Sequence, residues 1–185
     1  MPSFYHSFMG EAEDGNIRAE AHNVEIRRIR ENDWEQYRYI RLKALESNPA
    51  AFSTTLDEAL AFDDTKWIER SRKNSNSSTE GLWLAFLGVK PVGIVGMFMQ
   101  NVVFNLCHLW VDPAVMHNGL GKRLVETAIA WVDSQDASAA IRLDVSPVQG
   151  SAFHLYLQCG FISTGVEVSL PHDQGTSLWE MILNR

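Results

Sequence analysis

Cysteine is scarce in this sequence of 185 residues, which contains only Cys107 and Cys159. Two cysteines so far apart give neither a disulfide framework nor the ligand spacing of a metal site, so we expect reduced thiols and no bound metal. Basic residues are also outnumbered, with 16 Lys and Arg against 23 Asp and Glu and a formal net charge of −7. This balance argues against general nucleic-acid binding, which depends on a basic surface.

Long apolar stretches are missing as well. No run approaches the roughly 18 apolar residues of a membrane span, and residues 1–10 lack the basic start and apolar core of a secretory signal. We therefore expect a cytoplasmic protein with no membrane partner. The length suits a single domain with a sizeable core. We assign that domain to residues 24–185 and interpret residues 1–23 as an N-terminal extension or tail.

A strand followed by a glycine turn and a helix is the most informative pattern in the chain. The apolar run 106–111 ends before Pro113, and a turn with Gly119 and Gly121 follows. From position 120 an apolar residue then recurs at every fourth position: Leu120, Leu124, Ala128 and Val132. Backbone N–H groups in the first turn of a helix lack partners, and glycines let an anion approach them. The pattern predicts a phosphate site, while an ordinary strand-to-helix turn remains the alternative.

Two common phosphate-binding motifs do not fit this turn. A mononucleotide-binding loop would need glycine at Met116 and Ser or Thr at Arg123. A dinucleotide-binding fingerprint would need a third glycine at Leu124. Both motifs are therefore excluded on the residues themselves.

Two segments resemble the GCN5-related N-acetyltransferase (GNAT) family. Met116 to Gly121 resembles its acyl-CoA pyrophosphate loop, Gln/Arg-x-x-Gly-x-Gly/Ala, with Met116 in place of the usual Gln or Arg. The second signature, Asn-x-x-Ala-x-x-Leu-Tyr-x-x-x-Gly-Phe, is similar to a later segment with Gln149 in the Asn position and five residues in register: Ala152, Leu155, Tyr156, Gly160 and Phe161. The resemblance implies an α/β (α+β) fold, with a mixed, mostly antiparallel central sheet of six to seven strands flanked by about four helices.

The resemblance also implies acetyl-CoA as co-substrate. Seven residues would form the pyrophosphate cradle: Met116, His117, Asn118, Gly119, Leu120, Gly121 and Lys122. Lys122 or Arg123 would add positive charge beside a phosphate. Val111 would pair its main chain with the pantetheine arm, and the N–H of Leu109 or Val111 would polarise the thioester carbonyl. Gln149 would replace the Asn that hydrogen-bonds the same arm.

Catalytic roles follow from the same resemblance. Tyr156 matches the tyrosine that protonates the leaving thiolate, with a purely packing role as the alternative. Asn105 stands where many members carry a glutamate base, and it cannot accept a proton. His108 is the candidate base on that strand, although strict alternation turns it away from Asn105 unless a bulge intervenes. A water relay, or an amine that arrives neutral, stays open, and nothing near Cys107 in sequence favours it as a nucleophile.

We therefore expect an acetyl-CoA-dependent N-acetyltransferase that acts directly on a primary amine of an unidentified small molecule or peptide. Two alternatives are a non-catalytic CoA-binding module, favoured by Asn105 and Met116, and an interaction protein in which the glycine loop binds nothing. Residues 46–69 contain six acidic residues and only one basic residue, Lys66. These acids suit either a protonated amine or a solvated surface. A homodimer is compatible with the resemblance.

Overall fold

The computed structural model describes residues 23–116, 118–146, 150–170 and 173–185. The predicted N-terminal extension therefore lies, except for residue 23, outside the described residues. The described chain contains one seven-stranded sheet in the order β1-β2-β3-β4-β5-β7-β6, in which only the β4–β5 pair is parallel. Its strands are β1 Val24–Arg28, β2 Glu80–Leu87, β3 Lys90–Gln100, β4 Val103–Val111, β5 Ile141–Val145, β6 Phe161–Leu170 and β7 Asp173–Leu183.

Five α-helices flank this sheet in the described part of the chain, one more than the approximate number predicted. They are α1 Trp34–Ser47, α2 Leu56–Leu60, α3 Asp64–Asn76, α4 Leu120–Asp133 and α5 Gly150–Gln158. The extra helix is the single short turn of α2. The mixed, mostly antiparallel sheet with flanking helices that the resemblance implied is confirmed.

Helices cover both faces of the sheet, so the chain has two apolar clusters. Strand β2 serves both, because its alternate residues point to opposite faces. Leu82 and Leu84 pack with α1 and α3, whereas Trp83 and Ala85 pack with α4. A strand buried on both faces is apolar along nearly its whole length, as residues 82–87 are. The sheet is therefore the middle layer of three.

The N-termini of α2, α3 and α4 are capped in different ways. Thr55 and Glu58 form a reciprocal capping box at α2, and the Asp63 carboxylate accepts the Lys66 N–H at α3. Helix α4 instead begins after Gly119, with no side-chain cap and no acid in its first turn. The first N–H groups of α4 are thus left open to a ligand. None of the described helices is long and apolar enough to cross a membrane.

Candidate active site

A β-bulge in the middle of β4 determines how its side chains are distributed. Gly96 of β3 pairs with Cys107 and Ile94 pairs with Trp110, so one residue on β3 faces two on β4. His108 lies in the bulge and has a positive φ of 59°. The strict alternation considered for His108 is therefore wrong, because the bulge brings it to the same side as Cys107.

Gly96 leaves the space that the bulge needs. A Cβ at Gly96 would lie 3.0 Å from both Cys107 Sγ and His108 Cδ2. Any larger residue would push against the two side chains that the bulge displays. A glycine is therefore needed at position 96, because β3 passes close to the bulge there.

Strands β4 and β5 part immediately after their first contacts. Their pairing is confined to Phe104 with Ile141 and Asn105 with Arg142. The Asp112 N–H donates to Val92 O on β3 at 2.8 Å. Since successive N–H groups alternate between the two edges of a strand, the Val111 and Leu109 N–H groups face the opening toward β5. Both residues predicted to bind through their main chain thus lie on an unpaired strand edge.

Asn105 closes the narrow end of that opening and is fully engaged. Its Nδ2 donates to Val103 O at 3.0 Å, and its Oδ1 accepts from Arg142 Nε at 2.6 Å. Arg142 in turn pairs with Glu180 at 3.2 Å. Asn105, which the resemblance places where a base is often found, thus ties β4 to β5.

Tyr156 lies on α5 beneath the sheet, 7% exposed, with its ring 5.9 Å from Phe161. Burial raises the pKa of Tyr156 well above its usual value, and the neighbouring Cys107 and Cys159 thiols act in the same direction. The phenol therefore stays protonated and can donate a hydrogen bond.

The predicted phosphate loop leads directly into α4. Gly119 has a φ of 71° with open space where a Cβ would lie, while Gly121 is packed, since a Cβ there would meet Leu155 Cδ1 at 2.8 Å. Gly119 O accepts the first intrahelical bond, from the Arg123 N–H, at 3.1 Å. The N–H groups before it have no helical acceptor; they belong to Leu120, Gly121 and Lys122.

Side chains around this loop have different roles. Met116 and Asn118 are exposed beside it, and Lys122 lies 3.7 Å from Glu126. Arg123 donates to Val24 O at 2.9 Å, so it fastens β1 rather than facing the loop. His117 and Gln149, the two other residues predicted here, lie outside the described residues.

A cavity of about 330 Å³ lies between α1, α3 and the sheet, and the bulge residue His108 forms part of its lining. Burial lowers the pKa of His108, which lines it, well below the ordinary 6.5, and the charges of Arg41 and Arg70 lower it further. Burial also raises the pKa of the Cys107 thiol to about 12. The polar lining residues are Tyr37, Thr54, Arg70, Lys73, Asn74, Glu80, Cys107 and His108.

Several of these residues are missing from the sequence-based site. Tyr37, Arg70 and Glu80 come from three distant segments, which no local motif connects. Arg41, which lies within electrostatic reach of His108, left a visible signal, because it interrupts the core-facing stripe of α1. An arginine at such a position requires a partner or a function.

Comparisons with known proteins agree with this geometry. N-acetyltransferase 8 of Homo sapiens is 35% identical over 89 residues, covering 45% of this chain and 39% of the relative. The chain thus spans about two fifths of the relative's length.

Two solved structures have the same fold. The yncA protein of Salmonella typhimurium, with its cofactor acetyl-CoA, has a TM-score of 0.71 at 15% identity over 88% of this chain and 94% of that one. Spermidine N-acetyltransferase of Vibrio cholerae, in complex with CoA and spermine, has a TM-score of 0.65 at 18% identity over 87% and 95%. The profile of the acetyltransferase (GNAT) family matches residues 26–161, most of the chain. The chain belongs to the GNAT acetyltransferase family.

Proposed function

We propose that this protein is an acetyl-CoA-dependent N-acetyltransferase that transfers the acetyl group directly to a primary amine. One observation carries the proposal: the His108 bulge of β4 borders both the opening toward β5 and the cavity beside α1 and α3. A thioester donor held in the opening and an amine held in the cavity would approach each other there. Bringing two reactants together supplies much of the rate enhancement in such a transfer.

The residues around the opening fit acetyl-CoA. The uncapped first turn of α4 offers N–H groups to a pyrophosphate, and no acid competes with them there. The Val111 N–H suits the amide-containing pantetheine arm, because it lies on an unpaired strand edge. Acetyl-CoA supplies an acetyl group already activated as a thioester. The Leu109 N–H donates to the carbonyl oxygen and stabilises the charge that develops on it.

Tyr156 is the proposed acid. Its buried phenol remains protonated because its pKa is raised, so it can donate a proton to the departing thiolate. The neighbouring Cys107 is not a nucleophile, since its own pKa of about 12 keeps the thiol protonated. Because no acyl-cysteine intermediate is then formed, the amine attacks the thioester carbonyl directly.

His108 is the proposed base. Its lowered pKa keeps the imidazole neutral, and a neutral imidazole can accept the proton that the attacking amine loses. A base with so low a pKa is weak. The same positive surroundings, however, also favour the neutral form of a bound amine, so little proton transfer is demanded of it.

Substitution of Tyr156 tests the enzyme and its acid together. We expect Tyr156→Phe to lower kcat by about 10²–10⁴ and to leave the acetyl-CoA-induced rise in Tm unchanged, with Tyr39→Phe as the matched control. A ligand at 100 times its Kd stabilises a protein by about 2.7 kcal/mol, so the rise in Tm is measurable. ATP and NAD serve as ligand controls.

The outcomes separate the alternatives. Full activity of Tyr156→Phe would overturn the acid assignment. A Tm shift with acetyl-CoA but no acetylation of any amine in a broad panel would favour the non-catalytic CoA-binding module. No shift at millimolar acetyl-CoA would leave the loop as an ordinary turn and overturn the enzyme proposal.

A further inference from the structure

The charges that line the cavity do not balance. Arg70 and Lys73 enter it from α3, and Glu80 enters from the first residue of β2. Lys73 Nζ lies 2.6 Å from the Glu80 carboxylate, so these two charges compensate each other. Within the described part of the chain, Arg70 forms no ion pair. The cavity wall therefore carries one uncompensated positive charge.

The Arg70 guanidinium is held in place without an acidic partner. It lies over the Phe62 ring at 4.6 Å, and it donates a hydrogen bond to the Tyr37 hydroxyl oxygen. Stacking on an aromatic face fixes the plane of a guanidinium while leaving its remaining N–H groups available. Such an arrangement suits bidentate recognition of a carboxylate.

A second positive charge lies behind the cavity wall. Arg41 is 3% exposed, its guanidinium lies 4.4 Å over the Phe52 ring, and its buried Nη1 has no hydrogen-bond partner. Its charge acts on three residues of the lining: Tyr37, Cys107 and His108. A buried cation without a compensating anion is costly. An anion bound in the cavity would offset that cost.

The acids of the neighbouring helices do not supply the missing negative charge. All six acids between residues 46 and 69 are exposed: Glu46, Asp57, Glu58, Asp63, Asp64 and Glu69. Glu58 and Asp63 cap helices, and Asp64 pairs with Arg38 at 2.8 Å. The solvated-surface interpretation of this acidic segment is therefore the one that the geometry favours. None of these acids lines the cavity.

We propose that the acceptor is a small amine that also carries a carboxylate, as an amino acid does, with Arg70 binding the carboxylate while the amine faces His108. This inference rests on the proposed N-acetyltransferase function and adds the substrate class. A polyamine would bring further positive charge to a cavity that already has an excess of it. The same excess favours the neutral, nucleophilic form of the acceptor amine.

Matched pairs of acceptors test the proposal. Each amino acid is compared with the amine that lacks only its carboxylate, for instance phenylalanine with phenethylamine, and spermidine is added as a polycation. We expect kcat/KM to favour the carboxylate-bearing partner by at least about tenfold. Preference for the decarboxylated amine or for spermidine would overturn the proposal.

Substitution of Arg70 assigns the preference to a residue. We expect Arg70→Gln to raise KM for the amino acid by about 10–100-fold, to leave KM for the matched amine nearly unchanged, and to be partly rescued by Arg70→Lys. The control is Arg72→Gln, on the same helix but exposed and paired with Glu31. Equal losses for both acceptors would show that Arg70 is structural and would overturn the proposal.

Binding measurements keep this inference distinct from the proposed function. Calorimetry in the presence of CoA measures amino-acid binding to the wild type and to Arg70→Gln without requiring turnover. Binding that Arg70→Gln abolishes, with no acetylation of any amine, would overturn the enzyme but support the carboxylate site. No amino-acid binding to the wild-type CoA complex would overturn the carboxylate site, whatever the enzyme does to other amines.

Discussion

His108 is the residue whose chemistry depends most on its surroundings. Burial and the nearby Arg41 and Arg70 charges lower its pKa well below 6.5, so the imidazole is neutral throughout the physiological range. Protonation would remove its capacity to accept a proton. Because that happens only below its depressed pKa, lowering the pH from 8 to 6 should leave the proposed base neutral.

We expect His108→Ala to lower kcat by about 10²–10⁴. In the wild type, we expect no loss of kcat assigned to a group titrating near pH 6.5. A pH–rate profile of both proteins between pH 5 and 9 measures this. The control is His154→Ala, because His154 is exposed on α5 and its ring hydrogen-bonds Gly150 O. Unchanged kcat in His108→Ala, or a wild-type inflection near pH 6.5, would contradict the assignment.

At this scale the sequence pointed to residues that belong to local motifs and not to residues that come together from distant segments. Tyr156 was singled out because it stands at a fixed spacing from Gly160 and Phe161. Arg70 and Glu80 were not, because they meet His108 only after two helices have packed on the sheet. Asn105 was assigned from its position in the strand, whereas its hydrogen bonds tie it to Val103 and Arg142.

The next scale is the element, where the bulge of β4 connects the fold to the chemistry. The Gly96 Cα has no room for a methyl group, since Cys107 Sγ and His108 Cδ2 would each lie 3.0 Å away. Gly93 on the same strand is equally crowded, but by Leu124 Cδ1 at 2.9 Å in the other cluster. Substitutions at these two glycines therefore distinguish the effect of crowding at the candidate site from the effect of crowding in the core.

We expect Gly96→Ala to displace His108 and reduce kcat by at least about tenfold, because catalytic geometry tolerates little displacement. Gly93→Ala should lower the free energy of unfolding by about 1–3 kcal/mol, a typical cost of overpacking, with little change in kcat. Urea unfolding and steady-state kinetics on both variants measure these effects. Equal kcat in the two variants would mean that Gly96 does not position His108.

Helix and strand positions were largely predictable because periodicity is a local property. The apolar residues at every fourth position of α4 are observed as a buried stripe: Leu120, Leu124, Ala128 and Val132. The sequence could only raise the bulge as a possibility, because a bulge is defined by two residues on one strand lying opposite one residue on its partner. That pairing is known only once the register of the two strands is known. Gly121 was attributed to phosphate approach, but its own contact with Leu155 shows that helix packing also demands it.

At the scale of the whole molecule, polar contacts fasten α1 to the strand that carries the site. Lys43 Nζ lies 2.9 Å from the Asp112 carboxylate, and Trp110 Nε1 donates to Ser47 Oγ at 2.9 Å. Both contacts join α1 to the end of β4, one wall of the cavity to its floor. Such long-range pairs cannot be read from one segment of sequence, because each partner looks ordinary by itself.

Asp112 makes this attachment sensitive to pH. Burial tends to raise its pKa, but the Lys43 ammonium and the Ala114 N–H outweigh burial and hold the pKa below the ordinary 3.8. A carboxyl whose pKa is lower in the folded than in the unfolded state stabilises the fold above its unfolded pKa. That contribution is lost as the pH falls through the folded value.

We therefore expect the free energy of unfolding to decrease as the pH falls below about 4, and Asp112→Asn to be less stable at pH 7 with a weaker pH dependence. Urea titrations between pH 2.5 and 7 measure both effects. Asp64→Asn is the control, because its pair with Arg38 is exposed and such pairs contribute little. If Asp112→Asn has the wild-type stability at pH 7 and the wild-type slope below pH 4, the ion pair with Lys43 does not hold α1 against β4. The attachment of α1 would then depend on the Trp110–Ser47 hydrogen bond and on apolar packing.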